Sequence, residues 1–179
     1  RQMDLLHKRF IVFELDNISE NRTLLPVVTI IIMETFLAKM RRLQGVRKVL
    51  LLEEAWKAIA KEGMASYVKY LYKTVRKYFG EAIVVTQEVE DIISSPIVKE
   101  SIINNADCKI LLDQRKYRNK FDQIQTLLGL TDKERAQVLS INLSNDPARR
   151  YKEVFISLGG VQSAVYATEV SDEEYLVRP

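Results

Sequence analysis

The sequence predicts an α/β fold, a parallel sheet flanked by helices and followed by a C-terminal β-hairpin. Three observations carry this. The runs at Val49–Leu52, Ala82–Thr86 and Lys109–Asp113 are short, mostly apolar and end in polar residues, the pattern of strands buried in a parallel sheet. Segments of helical character lie between them, and strand–helix alternation implies parallel strands. Near the end, two alternating segments meet at Gly159-Gly160, a strong hairpin signal.

The elements follow in order. Arg9–Asp16, RFIVFELD, is apolar and β-prone, which predicts a strand of about six residues. Asn17–Thr23 is a polar loop. Leu24–Arg42 is rich in β-branched residues, yet its length, Pro26 in the first turn and the LAKMRRL tail before Gly45 predict a helix. Its apolar part is too short to span a membrane and is interrupted by Glu34. Gly45–Lys48 turns the chain into the Val49–Leu52 strand. Ala55–Glu62 is a short helix closed by Gly63. Ser66–Phe79 is amphipathic: Tyr67, Leu71, Thr74 and Tyr78 share one side with Val68, Val75 and Phe79, and Lys69, Lys73, Arg76 and Lys77 take the rest. Such a basic face reads first as solvated surface.

Gly80–Gln87 holds the second strand, AIVVTQ. Asp91–Asn105 is helical with a break at Pro96, and Lys109–Asp113 is a third buried strand. Gln114–Lys120 is a basic, aromatic connector, followed by a helix over Asp122–Leu128 that Gly129 closes. Thr131 and Glu134 form a capping box for a helix reaching about Leu139. Asn142–Arg150 is loop. Glu153–Leu158 and Val161–Thr168 are the hairpin strands, and Ser171 with Glu174 caps a short terminal helix.

Composition narrows the function. The chain has 179 residues, 47% hydrophobic and 28% charged, enough for one domain with a core of its own. A net charge of +3 gives no argument for nucleic acid. The single cysteine, Cys108, excludes an internal disulfide and fits a reducing compartment. With His7 as the single histidine, a Cys/His zinc site is excluded. The chain opens on arginine without a signal peptide and reads as a piece of a longer protein.

The stretch Val49–Trp56, VLLLEEAW, is where the chemistry concentrates. Ligands of open α/β sheets bind outside the carboxyl ends of the strands. Glu53 and Glu54 stand at such an end. In a P-loop NTPase an acid there holds magnesium, and a second acid can orient and deprotonate the attacking water. The phosphate cradle of such enzymes, G-x-x-x-x-G-K-[ST], is missing: none of the six glycines makes that pattern. In such folds the cradle precedes the acidic strand, so it is expected upstream of Arg1.

From Arg47 to about Tyr175 the chain resembles the TraG-type ATPases of conjugative transfer, traffic ATPases of type IV secretion close to the HerA–FtsK group of RecA-like motors. The resemblance rests on LLLEEAW at 50–56, AIVVTQEVEDI at 82–92, NNADCKILLDQ at 104–114 and EVFISLGGVQSAVYATEV at 153–170. It implies a RecA-like P-loop NTPase core, with residues 1–179 as one partial ATPase domain. It implies ATP and Mg2+ as ligands, Glu53 as the magnesium-associated Walker B acid, Glu54 as the catalytic carboxylate and Gln87 as the γ-phosphate sensor. Many relatives carry Asp where Glu53 stands, a departure that puts direct Asp-like ligation in question while leaving the longer side chain able to reach the metal through water. Arginines acting across subunits are implied too: Arg149 and Arg150 are candidates, beside Arg115 and Arg118. The implied setting is a homo-oligomeric ring, a hexamer, working with other type IV secretion proteins. The implied location is cytoplasmic, peripheral to the inner face of the bacterial membrane. Two other readings are a HerA–FtsK-type DNA translocase and a non-catalytic docking module. The fragment alone is expected to be inactive.

Overall fold

The computed structural model describes residues 5–53, 62–87, 99, 102–144 and 151–176, with 62–65 and 175 described by backbone alone. The chain divides into two compact units, Arg1–Asn105 and Ala106–Pro179.

The first unit is built on two strands, β1 (Lys48–Glu53) and β2 (Gly80–Val85), paired parallel from Lys48↔Gly80 to Glu53↔Val85. Helix α1 (Leu24–Arg42) begins where Asn21 Oδ1 accepts the amides of Thr23 and Leu24 at 3.1 and 2.9 Å. Pro26 falls in the first turn, where a missing N–H costs nothing. Helix α2 (Glu62–Val75) follows β1. Met33, Leu37 and Met40 of α1 and Val68, Leu71 and Val75 of α2 form one core with Leu50, Leu52, Ala82 and Val84. Full burial of each such large side chain contributes about 1.5–3 kcal/mol. Period-two alternation sends the other strand residues to the opposite face. There Val49 and Leu51 are 51% and 55% exposed, with Ile83 and Val85. Among the described residues the two strands are therefore covered on one face, against the expectation of strands buried on both.

Two further expectations change. Arg9–Asp16 forms no strand: the segment is irregular and Phe10 and Val12 lie exposed. A strand is stable only with a partner, and no described strand pairs with it. The amphipathic segment 66–79 is not one helix. It is helical to Val75, tightens to a 3-10 turn over Arg76–Tyr78, and reverses at Phe79 (φ 57°). Phe79 is therefore off the buried face.

In the second unit β3 (Cys108–Leu111), β4 (Tyr151–Leu158) and β5 (Gln162–Glu169) form an antiparallel sheet in that order. The expected hairpin is β4–β5. Gly159 and Gly160 both have positive φ (56° and 71°), and Val161 N–H donates to the Leu158 carbonyl at 3.0 Å. That is the geometry of a type I′ turn. β3 pairs with β4 instead of joining the parallel pair. A four-residue apolar run fits either neighbour, and here Gly159 N–H also donates to the Asp107 carbonyl, fixing the hairpin beside β3.

Helices α3 (Phe121–Leu128) and α4 (Asp132–Ser140) complete this unit, and α5 (Asp172–Leu176) ends it. Both expected capping boxes form, Thr131 with Glu134 and Ser171 with Glu174. Glu134 is buried and also accepts from Ser157 Oγ of β4 at 3.1 Å, which ties α4 to the sheet. Among the described residues of this unit the buried apolar side chains are Phe121, Ile124, Leu130, Val138, Ile141, Val154 and Phe155.

Candidate functional site

The parallel pairing of β1 and β2 decides what lies at the strand ends. Neighbouring parallel strands in register present their carboxyl ends on one edge. Glu53 is the last residue of β1, opposite Val85, the last of β2. Gln87 follows two residues later in a bend. Strand spacing puts the two ends about 5 Å apart. Glu53 and Gln87 are both exposed, and Glu53 lies on the face away from the helices. A carboxylate can take a cation, while an amide can both donate and accept. The pair thus offers one anionic and one neutral polar group at the same sheet edge.

Glu54 lies outside the described residues, as do Trp56, Arg149 and Arg150. No group of three or more His, Cys, Asp or Glu side chains forms a metal cage among the described residues. Magnesium is commonly held by one or two carboxylates together with substrate phosphates, so Glu53 fits that donor set.

Arg115 and Arg118 belong to the second unit. Arg115 is held by Asp113: its Nε donates to Oδ1 at 2.9 Å and to Oδ2 at 2.8 Å. The Arg115 guanidinium holds the Asp113 carboxyl below its usual range, and the pairing raises Arg115 in turn. Arg118 is exposed and, with Asp132, Arg135, Leu139 and Leu143, lines a shallow depression. Arg135 is engaged by Asp122, by Gln125 at 2.8 Å and by the ring of Phe121. Arg118 is therefore the less restrained of the two described candidates.

Sequence reasoning missed Lys48. It reads as a turn residue but is buried, 8% exposed. Its ammonium donates to the carbonyls of Leu43, of Tyr78 at 2.8 Å and of Met40 at 3.3 Å. The sequence signal is a lysine at the head of an apolar strand, six residues after the last residue of α1.

This architecture, a parallel pair backed by helices with an antiparallel sheet following, is a VirB4-like α/β fold. The structure of VirB4 of Thermoanaerobacter pseudethanolicus matches over 93% of this chain and 43% of that one, with a TM-score of 0.64 and 24% identity. The chain thus spans less than half the length of that relative. Residues 1–178 match the model of the TraG P-loop domain, and the chain belongs to that family. No curated protein matches it.

Proposed function

We propose that this chain is the carboxyl-terminal part of an ATPase motor of conjugative transfer and type IV secretion. The observation that carries the reading is the parallel pairing of β1 and β2, with Glu53 and Gln87 at the same edge, in a chain of the TraG P-loop family. In this reading ATP and Mg2+ bind at that edge. Glu53 holds the magnesium through water. Glu54 takes a proton from the attacking water. Gln87 donates to a γ-phosphate oxygen and accepts from the same water. Arg149 or Arg150, or Arg118 of the second unit, stabilises transition-state charge in a neighbouring subunit of a ring. Arg115 is the weakest of these candidates, because Asp113 already holds it.

The phosphate cradle comes from a segment preceding this chain in the longer protein, since G-x-x-x-x-G-K-[ST] does not occur here. The backbone amides and lysine of that loop supply much of the charge stabilisation in phosphoryl transfer. A steady-state phosphate-release assay tests this division of labour. The longer protein turns over ATP, and residues 1–179 alone do not. Turnover by the short chain at the rate of the intact protein would contradict the partial site.

A further inference from the structure

Two features of the chain lack a strand partner among the described residues. The first is the outer edge of β5. β5 pairs with β4 through all eight of its residues without a bulge, and no described strand lies on its other side. From Gln162 to Thr168 it carries neither a charge nor a proline. Proteins ordinarily blunt such an edge with lysine, proline, a bulge or a very short strand. At the opposite edge of the same sheet β3 shows two of these devices: it is four residues long and contains Lys109. The β5 edge has neither.

The second feature is Arg9–Asp16. Its start is pinned to α1, where Lys39 Nζ donates to the carbonyls of Leu5 and Lys8 at 2.7 and 2.5 Å. Its end enters the 3-10 turn Asp16–Ile18. Between these pins the backbone of residues 9–14 makes no hydrogen bond with a described residue. Phe10, Val12 and Phe13 are 86%, 70% and 40% exposed. Solvent-facing phenylalanine and valine on unpaired, β-prone backbone gain stability by joining a sheet.

We propose that Arg9–Asp16 of one copy adds as an antiparallel strand to the β5 edge of a second copy. In strand addition main-chain bonds supply affinity, and side-chain pairs set direction and register. With Arg9 opposite Glu169, Val12 falls opposite Tyr166 and Phe13 opposite Val165. Phe13 then extends the face that α4 covers, where Val165 pairs with Phe155 and Ser163 Oγ donates to Gln137 Oε1 at 3.4 Å. Phe10 and Val12 join Thr168 and Tyr166 on the other face. In the parallel sense Glu14 and Asp16 would crowd Glu169 instead, and like charges side by side destabilise a pair of strands. A second β5 fits the edge less well, since it brings no cation to Glu169 and leaves Phe10 and Val12 in water. The segment and the edge are different surfaces, so the contact is heterologous and copies add head to tail. It uses neither Glu53 nor Gln87 and does not rest on the nucleotide reading.

The test is disulfide trapping in the full-length protein with its own cysteines replaced by serine. Val12→Cys and Tyr166→Cys are prepared separately, mixed and oxidised. Opposed residues of antiparallel strands have Cα atoms about 4.5–5.5 Å apart, within the span of a disulfide. The mixture gives a dimer bridged between positions 12 and 166, identified by mass spectrometry of the non-reduced band. In parallel, sedimentation velocity compares the wild type with Tyr166→Lys, which places a charge on the edge. The variant lowers the assembled fraction at least about fivefold. Its Tm and ATP affinity stay level, which separates loss of this contact from failure of the nucleotide site. Absence of the bridged dimer overturns the proposal, as does wild-type assembly by Tyr166→Lys. A bridge formed only within one chain of the double variant Val12→Cys/Tyr166→Cys also overturns it. A dimer formed by Tyr166→Cys alone overturns it too and assigns the edge to a second β5.

Discussion

Lys48→Met tests the packing of the first unit most sharply. Lys48 is 8% exposed, and its ammonium serves three backbone carbonyls, those of Met40, Leu43 and Tyr78. Methionine preserves most of the volume and the unbranched shape but has no donor. Each buried acceptor left without a partner costs roughly 1–3 kcal/mol. The Met40 contact is long at 3.3 Å and adds least. Two good contacts therefore set a gross loss of about 4 kcal/mol. The cation's attraction to the carbonyl end of α1, about 0.3–1 kcal/mol, is also lost. Against this, the variant no longer desolvates an ammonium, which returns a few kcal/mol. The net expectation is a destabilisation of about 2–3 kcal/mol. For a chain of this length that lowers Tm by roughly 4–10 °C. Urea denaturation followed by circular dichroism measures it, with the slope unchanged. A midpoint shift worth less than about 0.5 kcal/mol, the range of ordinary surface substitutions, would refute the staple.

Gly80→Ala should cost about 1–3 kcal/mol, because the new methyl meets the Val75 carbonyl at 3.2 Å, a backbone atom that cannot step aside as the Met40 sulfur can. Thermal melts of the variant beside the wild type measure this, and an unchanged Tm would contradict the close approach. The Glu134 carboxyl is held below its ordinary range chiefly by the Thr131 amide, with the Thr131 and Ser157 hydroxyls assisting. Its folded pKa is depressed, so its stabilisation is present above the unfolded value near 4.5 and fades as pH falls through the folded value. Glu134→Gln should therefore cost about 1–2 kcal/mol at neutral pH and progressively less in acid. A cost that does not vary with pH, in denaturation curves taken at several pH values, would remove the ionised carboxylate from the account.

Much of this fold is legible in the sequence where local chemistry and tertiary demand agree. Leu24–Arg42 was bounded by Pro26 at its start and the basic tail at its end, and the helix keeps those limits. Both capping boxes and the Gly159-Gly160 turn are local devices, and local devices survive folding intact. The misses lie where a partner decides. Arg9–Asp16 has strand propensity but finds no described strand to pair with. The KILLD run reads the same for a parallel or an antiparallel neighbour, and β4 takes it. Phe79 continues the apolar period of its helix, but the close approach at Gly80 turns the chain first. Lys48 looks like a turn residue because a buried lysine is rare unless its charge is met. At the candidate site, the neighbouring of β1 and β2 was readable from two apolar runs with polar ends. Pattern alone does not tell what Glu53 and Gln87 do there, and Glu54, Arg149 and Arg150 lie outside the described residues.

The central claim is that the carboxyl end of β1 supplies the hydrolytic acid of an ATPase. Its most direct measurement is single-turnover ATP hydrolysis by the full-length protein carrying Glu54→Gln, with nucleotide affinity determined on the same preparation. The amide keeps the shape of the carboxylate but cannot take the proton of the attacking water. The account predicts a hydrolysis rate lower by about two to four orders of magnitude, with ATP affinity within a few-fold of wild type. A variant that hydrolyses ATP at the wild-type rate would contradict it.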